Sequence, residues 1–134
     1  MQTVLIIALS FHILSSVFWA GSSFTLARTG GLGGEKLLAP QIGAATVAIV
    51  TGATLWQLVH EGSFALGEKL LALGAVAALA AAAIQIIVGG GAVRRLRNGA
   101  ADEAGARARL AIAQRIAAAL LAITALCMGA ARYA

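Results

Sequence analysis

Four apolar stretches of about 20 residues each dominate this sequence, at 4–26, 40–59, 66–88 and 110–131. At a rise of 1.5 Å per residue, an α-helix of that length covers about 30 Å, the thickness of a bilayer's hydrocarbon core. Open sheet edges cannot sit in lipid, and no alternating apolar and polar pattern marks a barrel strand. The stretches also leave no amphipathic face for water, which argues against buried helices of a large soluble assembly. The fold class that follows is all-α: a transmembrane four-helix bundle in one domain, 1–134.

Composition agrees. Sixty per cent of the 134 residues are hydrophobic and 11% are charged, whereas a soluble domain carries about 25% charge. So few charges cannot clothe a water-facing surface, and the mean hydropathy of +0.92 points to lipid as the cover. The net charge of +5 is not gathered into a basic patch interleaved with aromatics, so nucleic acid is not an expected partner. A single cysteine, Cys127, excludes an internal disulfide. Met1, Gln2 and Thr3 supply no basic n-region, so the first stretch reads as a retained span rather than a cleaved signal.

The connections are polar or glycine-rich. Segment 28–36 holds Gly30, Gly31, Gly33 and Gly34; 60–65 is a tight turn; 94–109 is the longest link. Pro40 is predicted in the first turn of the second helix, where its missing N–H costs nothing. Gly89, Gly90 and Gly91 predict a frayed end for the third. Arg28, Lys36, Arg94, Arg95, Arg97, Arg107, Arg109 and Arg115 fall on one side, and only Lys69 and Arg132 on the other. The positive-inside rule then predicts cytoplasmic arginines, both termini periplasmic, and a bacterial inner membrane location. Within lipid, close packing holds helices together. Small residues four apart supply it at Ala48 and Gly52, at Gly74, Ala78 and Ala82, and at Ala118 and Ala122. The alanine-rich third helix is predicted to be the packed centre.

His12 is the leading candidate for chemistry. It lies eight residues past Val4, roughly 12 Å deep by helical rise, where ionisable groups are rare and often functional. Ser16, Trp19 and Ser23 share its face. Thr51, Gly52, Gly74 and Thr124 fall near its depth on the other helices, and such small side chains leave room for a flat group or a small ion. Imidazole is a common ligand of haem iron and copper, and its other role in a core is a packing hydrogen bond. Nearer the outer rim, Lys69 could face a porphyrin propionate or snorkel to headgroups. His60, Cys127 and Met128 are weaker metal candidates: two adjacent helical residues point about 100° apart and chelate together poorly. Arg115, one turn inside the fourth stretch beside Gln114, is expected to snorkel. No Ser/His/Asp set, P-loop, HExxH, CxxC or paired carboxylate occurs, and GGLGG at 30–34 follows no strand, so it is no dinucleotide fingerprint.

Helix one reads HILSSVFWAG from His12, helix two carries VTG ending at Gly52, helix three opens EKLLALGAVAALA, and helix four closes MGAARY. This pattern resembles the small four-helix membrane proteins of the CopD-like and HemJ-like group, in helix count and order over the whole chain. The resemblance implies haem or copper chemistry. On the HemJ side it implies b-type haem, an oxidoreductase of the protoporphyrinogen type, and a functional pair carried over to His12 and Lys69. After the tryptophan and glycine this chain reads SSFTLARTG, where HemJ-like proteins carry a stretch of the LPRLFVYH type. On the CopD side the resemblance implies periplasmic copper handling. A third reading is an accessory subunit whose small-residue faces pack against a homo-oligomer or a larger membrane complex.

Overall fold

The structure, a computed structural model, describes residues 1–62, 64–99 and 101–134. Among them the regular elements are all helical. α1 spans Gln2–Arg28, α2 Gly34–Val59 and α3 Leu66–Ile84. α3 passes through a π-turn, Gln85–Gly89, into α4, Gly90–Arg97, and α5 spans Glu103–Ala131. The rods α1, α2, α3–α4 and α5 are each long and apolar enough to cross a membrane. Antiparallel pairing shows in the contacts. Gly67, at the start of α3, lies against the carbonyl of Ala131 at the end of α5, while Gly89 lies against Leu110 and Leu38.

The rods run past the apolar stretches, because polar turns stay helical outside hydrocarbon. α2 starts at Gly34, so Pro40 lies within the helix and not in its first turn. Gly33 sets that start by taking φ +82°, and a Cβ on Gly34 would overlap Leu110, so the missing side chain lets α2 close on α5. α5 starts at Glu103, where the Asp102 carboxylate caps it by accepting the Gly105 N–H at 3.0 Å. The third rod does not fray at its glycines but continues helical to Arg97.

The centre is α5, not the alanine-rich α3: half of the apolar window of α5 is buried, against 28% for the third rod and 11% for α1 and for α2. The reason is placement. α5 packs on α1, α3 and α4 together, whereas α3 buries one face, Ala77, Ala78, Ala81 and Ala82. Of the small-residue positions, Ala48, Ala78, Ala82 and Ala118 are buried and Ala122 is exposed. The outward faces carry Phe11, Leu14, Val17, Ile87 and Leu126, a surface suited to acyl chains.

The arginine-rich end is tied by one guanidinium. Arg107 Nη1 lies 2.7 Å from Glu35 Oε1 and donates to the Gly31 carbonyl at 3.1 Å, joining α5 to α2 and to the turn before it. Arg97 adds a 2.6 Å bond to the Glu35 carbonyl. Arg107→Ala is expected to cost about 1 kcal/mol in detergent unfolding, a modest loss because both partners are partly exposed to solvent. Arg107→Lys should recover only part of it, since one ammonium cannot match the fork. An unchanged midpoint for Arg107→Ala would show that the pair contributes nothing.

Candidate functional site

α1 presents His12 to α2 at a place where the partner has no side chain. A Cβ on Gly52 would stand 3.1 Å from the ring carbon Cε1. The ring therefore lies against the α2 backbone, and its Nδ1–H donates to the Ala48 carbonyl at 2.8 Å, with Thr51 Oγ1 at 3.2 Å. Ala48 can only accept, so in the neutral ring the proton sits on Nδ1 and the Nε2 lone pair is left uncommitted. A backbone carbonyl fixing one ring nitrogen while the other stays open is the arrangement that orients metal-ligating histidines.

The other expected residues do not all gather round that ring. Ser16 is half-buried one turn along. Ser15, Ser22 and Ser23 return their hydroxyls to carbonyls of their own helix, so much of the polar face of α1 is self-satisfied. Gly74 and Thr124 meet each other: Thr124 Oγ1 donates to the Gly74 carbonyl at 3.0 Å, and a Cβ on Gly74 would stand 3.3 Å from Cys127. These positions make the close crossing of α3 and α5. Cys127 is buried there as packing, with Met128 beside it. Lys69 is exposed in the first turn of α3. His60 stacks on Trp56 with ring centroids 4.7 Å apart, and Phe64 meets it edge-on at 6.1 Å. Among the described residues no group of three or more His, Cys, Asp or Glu side chains is placed to hold a metal ion.

A second polar centre lies at the arginine-rich half of the bundle. Gln41 of α2, Gln85 at the π-turn and Gln114 of α5 are at most 1% exposed. Gln41 and Gln114 exchange amide bonds, 3.1 Å one way and 2.9 Å the other. Gln85 Nε2 donates to Gln114 Oε1 at 3.0 Å and to Ser23 Oγ at 2.8 Å, and its Oε1 accepts the Trp19 indole N–H at 2.6 Å. Gln41 Nε2 also reaches Ser22 and Ser23. Trp19 thus serves this clasp. All four rods contribute, and a closed amide network in an apolar bundle fixes helix register. The π-turn belongs to it, since such turns re-aim side chains at special positions.

Sequence reasoning passes over Gln41 and Gln85. The available signal is that Gln41, Gln85 and Gln114 lie in three different apolar rods, each toward the arginine-rich end, because amides that deep in lipid require partners. In comparisons with protein-family models, with curated proteins and with solved structures, nothing matches this chain.

Proposed function

We propose that the chain is an integral membrane redox protein that holds b-type haem through His12, as its likeness to the HemJ-like and CopD-like group implies. One observation carries the reading: the Ala48 carbonyl holds Nδ1–H at 2.8 Å, which leaves Nε2 as the ligating atom. The donor set favours haem over bare copper. A porphyrin brings four nitrogens of its own and needs one protein ligand, whereas copper needs several soft or imidazole donors together. The fit is limited to one side. Gly74, Thr124 and Trp19 are committed to helix contacts and Gly52 to seating the imidazole, so His12 and Ser16 are the residues left to hold the group. Haem, when bound, supplies one-electron chemistry at its iron; the chain's part is to fix the ring, exclude water with its apolar exterior and present Nε2. The charge split of the ends supports cytoplasmic arginines and periplasmic termini in a bacterial inner membrane.

The test is an absorption spectrum of the detergent-purified protein from haem-sufficient cells. A Soret band is expected, lost in His12→Ala and kept in Lys69→Gln and in Arg94→Gln. A colourless protein, or a Soret band indifferent to His12→Ala, would sink the reading. Copper retained by a colourless protein would favour copper handling instead. A colourless, metal-free protein that co-purifies with a larger membrane complex would favour the accessory subunit.

A further inference from the structure

We infer that the groove between the α1–α2 turn and the first half of α5 binds the phosphate headgroup of an anionic phospholipid. The groove has a volume of about 410 Å³ and is bounded by Gly30, Arg107, Ala108, Ala111, Ile112 and Arg115. Its α5 wall is a single stripe at spacings of three and four: charged at Arg107, apolar across Ala108, Ala111 and Ile112, and charged again at Arg115. The two guanidinium groups are not equivalent. Arg107 is held by Glu35, Glu103 and the Gly31 carbonyl, so it is oriented and largely neutralised. Arg115 pairs with no carboxylate among the described residues.

Depth decides what can pair with it. Arg115 lies six residues beyond Arg109 in an apolar rod, roughly 9 Å further along by helical rise. A guanidinium there reaches for an anion at the membrane surface, and lipid phosphate is the anion always present at that level. The alanines and Ile112 give the first acyl carbons an apolar wall, which a free phosphate in water would not need. The inference rests on the bilayer placement of the rods and not on a cofactor at His12, so either can fail alone.

The experiment uses the full chain in neutral detergent. Thermal unfolding and native mass spectrometry are read with added phosphatidylglycerol, phosphatidylcholine or inorganic phosphate. Phosphatidylglycerol is expected to raise Tm and remain bound, while the other two do neither. Arg115→Gln should weaken its retention roughly fivefold, the loss of one basic residue at a headgroup. Arg115→Lys should keep most of the retention, and Arg94→Gln, an exposed arginine outside the groove, should leave it unchanged. Equal retention of phosphatidylcholine, an equal Tm rise with inorganic phosphate, or an Arg94→Gln loss as large as that of Arg115→Gln would each overturn the assignment.

Discussion

Gln114→Leu is expected to lower the stability of the detergent-solubilised protein by about 2–4 kcal/mol, read as a shift of the unfolding midpoint in an SDS titration. The substitution is close to volume-neutral, so the loss is electrostatic in origin. Gln114 Oε1 accepts from both Gln41 and Gln85, and its amide donates back to Gln41. Leucine takes the acceptor from one Gln85 N–H and strands the Gln41 carbonyl oxygen, while Gln41 Nε2 loses one of its acceptors and keeps Ser22 and Ser23. Single hydrogen bonds between membrane helices contribute less than this, about 0.6 kcal/mol on average, because the unfolded rods find other partners in the membrane. Three bonds failing at one buried point is a different situation. The check on mechanism is the double variant. Gln41→Leu removes the partner most dependent on Gln114, so Gln41→Leu with Gln114→Leu should cost at least ~1 kcal/mol less than the sum of the singles. Strict additivity would mean that the amides act separately and that no clasp exists.

Gly34→Ala should cost about 1–3 kcal/mol, a large penalty for one methyl group. The new Cβ would overlap Leu110 Cδ2, and Leu110 is fully buried in a cluster with Leu38, Ala92 and Val93. Either the buried leucine repacks against its cluster or α2 backs away from α5. Space is the whole cause, since the backbone at Gly34 is helical and suits alanine. Shortening the obstacle should therefore rescue it: Leu110→Ala, destabilising alone, should cost less when Gly34 is already alanine. If the double variant is worse than the sum, the penalty comes from elsewhere, for instance from the φ +82° start at Gly33 next door.

The four rods are legible because hydropathy over about 20 residues is set by lipid thickness and by nothing more local. Their ends are not. Glu35, Lys36 and the run from Glu103 to Arg109 look like loop in a hydropathy count, yet they continue the helices with a capped or glycine-set start. The fit of a small residue opposite His12 is legible, since Gly52 does receive the ring. What a depth count cannot supply is rotation. Gly74 and Thr124 share a crossing between α3 and α5, His12 faces α2, and residues at one level can belong to different seams of a bundle. The glutamine clasp escapes for a related reason. It depends on how three rods turn about their axes, and for one of them that turning is set by the π-turn at Gln85.

That wide turn acts as a phase adjuster. Each residue of an α-helix advances about 100° around the axis, so a coil with one residue too many re-aims everything beyond it. Upstream, Ala78, Ala81 and Ala82 of the third rod pack with Trp19 of α1, Ala45 and Ala48 of α2, and Ala117 and Leu121 of α5; downstream, Ala92 and Val93 sit between Leu38 of α2 and Leu110 of α5. The rod keeps α2 and α5 as neighbours on both sides of the turn. Deleting one residue from 86–88 would restore a uniform screw, and the two halves could then no longer both meet their present neighbours.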